Sequence, residues 1–349
     1  MKFYRIASIP GDGIGNEVIP AGIEILDALA AKEGFKLAFE HFDWSSARYL
    51  KTGAYIPEGG LTKLKTFDAI FFGAVGAPEV PDHISLWGLR LPICQGFDQY
   101  ANVRPSRVLP GVTSPLANAK DIDWVIIREN SEGEYSGSGG RVHKGLPEEI
   151  ATETSVFTRV GVERIHRFAF ELARKRPRKL LTLVTKSNAQ RHGMVLWDEI
   201  FYEVAKKYPD VKTDRILVDA MTTRMVLKPA SLDTIVASNL HADILSDLAA
   251  ALSGSLGIAP TANLNPERKF PSMFEPIHGS AFDITGKGVA NPIATFWTAA
   301  MMLEHLGEPK AAARLMLAIE RTTEEQVFTP DLGGLHDTRA VTNAVKRAL

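Results

Sequence analysis

Short runs of apolar residues recur along the chain and alternate with longer segments of helical periodicity. The apolar runs predict strands over Arg5–Ile9, Ala69–Ala74, Trp124–Arg128, Leu180–Thr185, Ile216–Asp219 and Thr234–Ser238. The helical patterns cover Glu17–Ala31, Val162–Lys175, Ala189–Lys206, Ala242–Leu252, Ala294–Leu306 and Lys310–Glu325. Strands that alternate with helices indicate an α/β protein with a largely parallel sheet.

Composition narrows the class of protein. The 349 residues suggest two domains or one large one, at about 150 residues per domain. A net charge of -1 argues against a surface built for nucleic acid or anionic lipid. The single cysteine, Cys94, fits a reducing cytosol, and the most apolar late segment, Val289–Leu303, is too short to span a bilayer. The first residues also lack the long apolar core of a signal peptide, so we expect a soluble, cytoplasmic protein.

A glycine-rich turn, Gly11–Gly15, follows the first predicted strand and precedes a helix, as a phosphate-binding turn does. Its spacing departs from G-x-G-x-x-G, because Asn16 takes the place of the last glycine. A phosphate-binding turn and a tight structural turn are therefore equally supported.

Two acids, Asp243 and Asp247, lie four residues apart in a predicted helix, so their carboxylates project about 40° apart. Adjacent carboxylates repel unless a cation or a proton lies between them, and Mg²⁺ and Mn²⁺ prefer such oxygen ligands. The alternative is a solvated helix face.

Polar residues also follow predicted strands, where open α/β sheets bind their ligands. Asp219 is either catalytic or a cap for the next helix. Lys186 is either solvated or, in a closed site that lowers its pKa, suited to proton transfer.

Arginines and a tyrosine are further candidates. Arg90, Arg104 and Arg128 can bind carboxylates through two hydrogen bonds each, or form surface ion pairs. Tyr135 lies in the Gly- and Ser-rich segment Ser131–Gly140, which is a loop or the approach to an arm. A tyrosine there is a general acid or a loop aromatic that packs on a neighbour.

A long polar segment, Glu275–Pro292, precedes a late helix. Its Asp283 carboxylate can accept both ribose hydroxyls of NAD and would repel a 2′-phosphate. His278 is a ligand contact or a structural histidine.

Taken together, these segments resemble the β-decarboxylating dehydrogenases, a family that includes 3-isopropylmalate, isocitrate, homoisocitrate, tartrate and D-malate dehydrogenases. The matching motifs are Gly11–Glu17, Asn102–Pro105, Arg128–Tyr135, Thr185–Asn188, Val218–Met221, Asp243–Asp247 and Glu275–Pro292. The resemblance covers essentially the whole chain. The resemblance implies an α/β, isopropylmalate-dehydrogenase-like two-domain fold that is not a Rossmann fold, with a parallel or mixed sheet and the active site in the interdomain cleft.

The resemblance also implies how the domains divide. Residues 1–101 and 255–349 would form a large, discontinuous cofactor-binding domain. Residues 102–254 would form a smaller domain for substrate binding and dimerisation. The protein would be a homodimer with shared active sites.

Substrate and metal roles follow from the resemblance. Arg104 and Arg128 would bind the carboxylates of a small hydroxy-dicarboxylate. Asp243 and Asp247 would bind Mn²⁺ or Mg²⁺, with Asp219 supplied by the second subunit. The family also suggests K⁺ as an activator.

Proton transfer and cofactor roles follow in the same way. Lys186 of the second subunit and Asp219 would remove the hydroxyl proton, and Tyr135 would protonate the enol after decarboxylation. The cofactor would be NAD, because Asp283-Ile284 is the NAD-type pattern of the family. The implied cofactor-binding residues are Glu275, His278, Gly279, Ser280, Ala281, Asp283, Ile284 and Asn291.

One segment departs from the family and bears on specificity. Cys94 replaces an arginine that usually lies ten residues before Arg104. Trp87 and Arg90 stand where isopropylmalate enzymes face the alkyl group of the substrate, and Arg90 could replace the missing cation as a substrate-binding residue. A buried charge there disfavours an isopropyl group. This segment, with Gln95–Tyr100, resembles the tartrate and D-malate dehydrogenase branch.

That branch implies oxidative decarboxylation of D-malate to pyruvate and CO₂. It also implies oxidation of tartrate to oxaloglycolate and conversion of meso-tartrate to glycerate. The alternatives are a 3-isopropylmalate dehydrogenase of leucine biosynthesis and a silent regulatory subunit.

Overall fold

The computed structural model describes residues 2–117, 119 and 122–349. The chain forms two compact units. The first comprises Met1–Gln99, Arg107–Ala119 and Ala250–Leu349, and the second comprises Tyr100–Ser106 and Lys120–Ala249. The first unit is thus built from both ends of the chain and also takes in residues 107–119, which the sequence-based division assigned to the smaller domain.

The strands are β1 (Phe3–Gly11), β2 (Lys36–His41), β3 (Ala69–Ala74), β4 (Ala101–Arg107), β5 (Asp123–Glu129), β6 (Gly139–Val142), β7 (Ile150–Glu153), β8 (Leu180–Thr185), β9 (Lys212–Leu217), β10 (Thr234–Ala237), β11 (Pro260–Leu264) and β12 (Ser272–Pro276). The helices are α1 (Gly15–Glu33), α2 (Ser46–Thr52), α3 (Gly60–Leu64), α4 (Asp82–Ser85), α5 (Leu91–Gly96), α6 (Arg159–Lys175), α7 (Gly193–Ala205), α8 (Val218–Leu227), α9 (Asn239–Ser253), α10 (Ile293–Leu306), α11 (Pro309–Glu324) and α12 (Thr338–Ala348). A π-helical turn, Leu86–Arg90, joins α4 to α5.

In the first unit the strand order is β2-β1-β3-β12-β11. All neighbouring strands are parallel except β11, which is antiparallel to β12. Successive residues of one strand point to opposite faces of a sheet. Accordingly, Phe71 packs with helices α1, α10, α11 and α12, whereas Ile70 and Phe72 pack in a second core with Trp44 and Phe97.

In the second unit the strand order is β4-β5-β10-β8-β9. The strands β5, β10, β8 and β9 run parallel. The carboxyl ends of parallel strands meet at one edge of a sheet, where ligands of such folds bind. Arg128, Lys186 and Asn239 therefore lie at the ends of neighbouring strands of this unit.

A hairpin leaves the second unit. The antiparallel strands β6 and β7 form it, and all eight of their residues are exposed. Val142, Leu146 and Ile150 each expose more than half of their surface. The Gly- and Ser-rich segment is thus the approach to an arm, one of the two readings that the sequence left open.

Several predicted element boundaries differ from those of the structure, and two of them lie next to candidate site residues. The predicted strand Ile216–Asp219 ends at Leu217, and Asp219 lies in the first turn of α8, because the apolar triplet Ile216–Val218 spans the end of β9 and the start of the helix. The helix predicted from Ala189 begins at Gly193, since Ala189 and Gln190 donate their amides to Lys186 O in a turn. In the described parts of the chain, no helix has the length and apolarity that crossing a membrane requires.

Candidate active site

Two buried arginines converge on one carboxylate in the second unit. Arg104 lies on β4, Arg128 lies near the end of β5, and their side chains are 6% and 3% exposed. Arg104 Nη1 is 3.3 Å from Asp243 Oδ1, and Arg128 Nη1 donates to the same oxygen. Ion pairs of this kind hold a planar guanidinium ready for a carboxylate ligand.

Neighbouring side chains fix both guanidinium groups. Arg104 donates through Nε to Asn102 Oδ1 at 2.9 Å and through Nη1 to Ser246 Oγ at 2.6 Å. Arg128 donates through Nε to Asn239 Oδ1 at 2.8 Å. Because each arginine is held by more than its contact with Asp243, a ligand carboxylate would meet groups already in position.

Tyr135 joins the same cluster. Its hydroxyl donates to Asp243 Oδ2 at 3.1 Å, and the Arg128 guanidinium carbon lies 5.1 Å from the centre of its ring. Tyr135 therefore does more than pack on a neighbour, because its hydroxyl also forms a hydrogen bond with Asp243. A tyrosine hydroxyl in such a cluster can act as a general acid.

The loop that carries Tyr135 is anchored by Glu129, a residue that the sequence analysis missed. Its carboxylate accepts hydrogen bonds from Ser131 N at 2.9 Å, Ser131 Oγ at 2.5 Å and Glu132 N at 2.7 Å. Burial raises the pKa of Glu129 to about 7, although these hydrogen bonds oppose the shift. The sequence feature that could have identified Glu129 is an acidic residue at the end of a buried apolar strand.

Asp247 lies one helical turn after Asp243 on α9. It is an exposed residue, yet the partial burial of its carboxyl raises its pKa. The charge of Asp243 also raises this pKa, whereas Arg104 and Arg128 lower it. The two carboxylates thus influence each other electrostatically, as their helical spacing predicted.

The donor set of α9 fits a hard divalent cation but is incomplete. Asp243 and Asp247 supply carboxylate oxygens, the ligands that Mg²⁺ and Mn²⁺ prefer. Among the residues that the structure describes, no group of three or more His, Cys, Asp or Glu side chains is placed to hold a metal ion. The predicted third ligand, Asp219, belongs to a different cluster of the same chain.

Lys186 and Asp219 form that second cluster. Lys186 Nζ donates to Asp219 Oδ1 at 2.7 Å, and this hydrogen bond holds the pKa of Asp219 below its usual value. The Asp219 side chain is 65% exposed. Lys186 also lies close enough to the buried His241 to contribute to the lowered pKa of that imidazole, whose main cause is burial. His241 was not singled out from the sequence, because a lone histidine on a helix gives no signal.

In the first unit, the glycine-rich turn packs closely against neighbouring backbone. Asp12 N donates to Ala74 O at 2.9 Å, and Ile14 N donates to Ser280 O at 2.8 Å. A Cβ on Gly13, which has φ +54, would lie 2.0 Å from Ser280 O. The amides of Asp12, Ile14 and Gly15 therefore bind protein carbonyls, which favours the tight-turn interpretation.

The turn and α1 brace the segment predicted to bind the cofactor. The Glu17 carboxylate accepts from Gly286 N at 2.7 Å and from Gly288 N at 3.0 Å. Asn291 Nδ2 donates to Asp331 Oδ2 at 3.0 Å, and its Oδ1 accepts from Ile293 N. This segment is thus tied to the unit at both ends.

Groups in this segment fit a dinucleotide. His278 Nδ1 lies 2.9 Å from Gly279 O, while its Nε2 is buried without a hydrogen-bond partner among the described residues. Burial also lowers the pKa of His278, which favours the neutral ring. Apart from its two chain neighbours, no described residue would come within 4 Å of a Cβ on Gly279, so there is open space beside this residue. The Asp283 carboxyl is on an exposed residue. The remaining predicted residues Glu275, Ser280, Ala281 and Ile284 belong to the same stretch of chain.

Arg90, which the sequence analysis offered as a substrate-binding residue, is paired with an acid of the first unit. It ends the π-helical turn, its side chain is 11% exposed, and it forms an ion pair with Glu275 in the first unit. Trp87 from the same turn is 40% exposed, and Cys94 is buried in the core with Ile93 and Phe97. Cys94 therefore fills core space, and Arg90 is paired with a carboxylate whose side chain is only 6% exposed.

Comparison with known proteins identifies the family. A family model described as isocitrate/isopropylmalate dehydrogenase matches residues 5–346, so the chain belongs to that family. It is 71% identical over 352 residues to a probable tartrate dehydrogenase/decarboxylase, TtuC, of Agrobacterium vitis, covering 100% of this chain and 97% of that protein. It is 51% identical over 354 residues to the D-malate dehydrogenase (decarboxylating) of Escherichia coli, covering 99% and 98% of the two chains.

A solved structure agrees with the fold. The crystal structure of isocitrate dehydrogenase from Methylococcus capsulatus matches with a TM-score of 0.90 and 36% identity, covering 99% of each chain. The predicted α/β fold of the isopropylmalate dehydrogenase type is thereby confirmed.

Proposed function

We propose that this chain is an NAD- and divalent-metal-dependent dehydrogenase that oxidises and decarboxylates D-malate and also oxidises tartrate isomers. The observation that carries the proposal is the convergence of Arg104, Arg128 and Tyr135 on Asp243. Two buried cations, a proton donor and a carboxylate at one point suit a small hydroxy-dicarboxylate. The names of the Agrobacterium vitis and Escherichia coli relatives support these substrates.

Arg104 and Arg128 would bind the substrate carboxylates. Both guanidinium groups are buried, so a carboxylate that displaces water from them gains strong charge-assisted hydrogen bonds. Their side-chain partners Asn102, Ser246 and Asn239 would keep their orientation while Asp243 turns to another ligand. This arrangement would hold the β-carboxylate in place until it leaves as CO₂.

Proton transfers would fall to two groups. As hydride leaves the hydroxyl-bearing carbon of D-malate, the Lys186–Asp219 pair would take the hydroxyl proton. The β-keto acid that results loses CO₂ because the ketone withdraws electrons from the β-carbon. Tyr135 would then return a proton to that carbon, which completes pyruvate.

Asp243 and Asp247 would hold Mn²⁺ or Mg²⁺, and Asp219 of a second subunit would complete the ligand set. The cation would supply Lewis acidity toward the substrate hydroxyl and carbonyl, and NAD⁺ would supply the hydride acceptor. The segment that contains His278, Asp283 and Asn291 would hold the cofactor. Its unpartnered His278 Nε2 and the exposed Asp283 carboxyl are the groups that fit a nucleoside.

We also propose a cytoplasmic homodimer in which Lys186 and Asp219 complete the site of the second copy. The support is apolar surface close to these residues along the chain. Val226 and Leu227 at the end of α8 are 42% and 71% exposed, and Ile244 on α9 is 56% exposed. The exposed β6–β7 arm adds further apolar side chains, and a second copy would cover such a surface.

The test is spectrophotometric. Purified protein is mixed with NAD⁺ and Mn²⁺, with and without K⁺, and NADH formation is followed with D-malate and L-tartrate. Pyruvate and CO₂ are measured for D-malate. Turnover of both acids supports the proposal, and a homodimer with no turnover of any hydroxy acid would instead indicate a silent subunit.

A further inference from the structure

Arg90 lies in a segment with unusual backbone geometry. The segment runs through α4, the π-helical turn Leu86–Arg90 and α5. π-Helical turns are rare in proteins, and those that occur are often found at functional sites. Here the turn directs Arg90 inward while Trp87 stays 40% exposed, so the two candidate specificity residues of this segment have different surroundings.

The Arg90 guanidinium is paired with Glu275 by close contacts. Arg90 Nε donates to Glu275 Oε1 at 2.8 Å, and Arg90 Nη2 lies 2.7 Å from the same oxygen. Arg90 Nη2 also lies 3.2 Å from Asn263 Oδ1. The side chains of Arg90 and Glu275 are 11% and 6% exposed, so both charges are largely removed from water.

Glu275 is held asymmetrically. Asn263 Nδ2 donates to Oε1 at 2.8 Å, so the described hydrogen bonds to this carboxylate all end on one oxygen. The Glu275 carbonyl accepts from Thr298 Oγ1 at 3.1 Å. This arrangement leaves Oε2 for another donor, three residues before His278.

A direct contact between Arg90 and the substrate would break this pair. A substrate carboxylate that displaced Glu275 from the guanidinium would leave Glu275 as a buried, uncompensated charge, which is strongly unfavourable. The case of Arg104 and Arg128 differs, because the side chain of their partner Asp243 is 37% exposed. The carboxylate-binding role is moreover supplied by Arg104 and Arg128 in the proposed function.

We propose that Arg90 is a positioning residue that acts through Glu275 on cofactor binding. Arg90 fixes Oε1 of Glu275 so that Oε2 faces the bound dinucleotide. The same pair links the segment that contains Trp87 and Arg90 to the cofactor segment Glu275–Pro292. This inference rests on the proposed function, because it requires an NAD site that includes Glu275. It replaces the expectation that Arg90 contacts the substrate.

The test compares Arg90→Met, Arg90→Lys, Glu275→Gln and the double variant Arg90→Met/Glu275→Gln. The matched control is Arg176→Met, because Arg176 Nε pairs with the buried Asp233 at 2.6 Å outside the proposed site. Three quantities are measured for each protein: the Kd for NADH by fluorescence titration without substrate, the KM for D-malate at saturating NAD⁺, and the thermal unfolding midpoint.

We expect Arg90→Met to raise the Kd for NADH about tenfold or more, with less than about a threefold change in the KM for D-malate. Arg90→Lys should recover part of the affinity. The double variant should bind NADH no more weakly than Glu275→Gln alone, because both act through one pair. Arg176→Met should lower the unfolding midpoint without changing the Kd.

A higher KM for D-malate with an unchanged Kd for NADH would overturn the inference and restore Arg90 as a substrate contact. Equal NADH affinity of Arg90→Met and Arg176→Met would also overturn it. If Arg90→Met does not fold, Arg90→Lys and Glu275→Gln still decide the question. Failure of the wild-type protein to bind NADH or oxidise D-malate would refute the proposed function itself, which is a distinct outcome.

Discussion

Tyr135 donates its hydroxyl hydrogen to Asp243 Oδ2 at 3.1 Å, so the proposed proton donor and a proposed metal ligand share one hydrogen bond. In the proposed mechanism this acid would protonate the β-carbon of the substrate only after CO₂ has left. The two substrates of the proposed enzyme differ at that step. D-malate is oxidised and loses CO₂, whereas L-tartrate is oxidised to oxaloglycolate without loss of CO₂.

Tyr135→Phe should therefore affect the substrates unequally. We expect kcat for D-malate to fall about 10²- to 10⁴-fold, the usual contribution of a positioned general acid. Oxidation of L-tartrate should fall by less than about tenfold. Initial rates of NADH formation with both acids check this, and an equal loss for both would contradict the role of Tyr135 in protonation.

Lys186→Met should abolish turnover of both substrates. The variant removes the group that accepts the hydroxyl proton, so we expect kcat to fall about 10³-fold or more. Binding of Mn²⁺ should persist, because Asp243 and Asp247 remain. Lys179→Met is the control, since Lys179 also bonds an acid, Asp210, at 3.3 Å. Near-normal turnover of Lys186→Met would rule out its assigned role.

Glu129 should make stability fall with rising pH. Burial raises its pKa from 4.5 to about 7, so the folded protein holds this proton more tightly than the unfolded chain does. The favourable contribution is complete below about pH 4.5 and is lost as the pH rises through about 7. Its size is on the order of 3 kcal/mol.

The corresponding variant is Glu129→Gln, which cannot ionise. Between pH 5 and pH 8 the free energy of unfolding of the wild type should decrease relative to that of the variant. Urea unfolding at several pH values measures this difference. A difference that stays constant over this range would show that Glu129 ionises normally in the folded protein.

The charge of Asp283 should select NAD⁺ over NADP⁺. Its exposed carboxyl would accept ribose hydroxyls and repel a 2′-phosphate. Asp283→Lys should shift the ratio of kcat/KM values for the two cofactors toward NADP⁺ by about tenfold, or about 1.4 kcal/mol. Asp43→Lys, at another exposed acid of the same unit, should leave the ratio unchanged. An unchanged ratio for Asp283→Lys would remove this residue from the cofactor site.

Local pattern predicted much of the parallel framework. The strands Ala69–Ala74 and Leu180–Thr185 match the structure at both ends, because buried parallel strands are continuous apolar runs bounded by polar residues. The polar strand β9 was mostly missed, since its exposed residues break the apolar run.

The sequence analysis could name candidate site residues but not the contacts between them. The four-residue spacing of Asp243 and Asp247 fixed their shared helix face. No spacing shows that Arg104, Arg128 and Tyr135 converge on Asp243, because those contacts join residues more than 100 positions apart. For the same reason the pairing of Arg90 with Glu275 could not be foreseen, and Arg90 was expected to face the substrate.

The most direct test of the account compares D-malate, L-tartrate and 3-isopropylmalate with one preparation of the protein, NAD⁺ and Mn²⁺. The account predicts strong turnover of D-malate and tartrate and negligible turnover of 3-isopropylmalate. A higher kcat/KM for 3-isopropylmalate than for D-malate would contradict it. In that case the family assignment would remain valid, but the proposed substrates would be wrong.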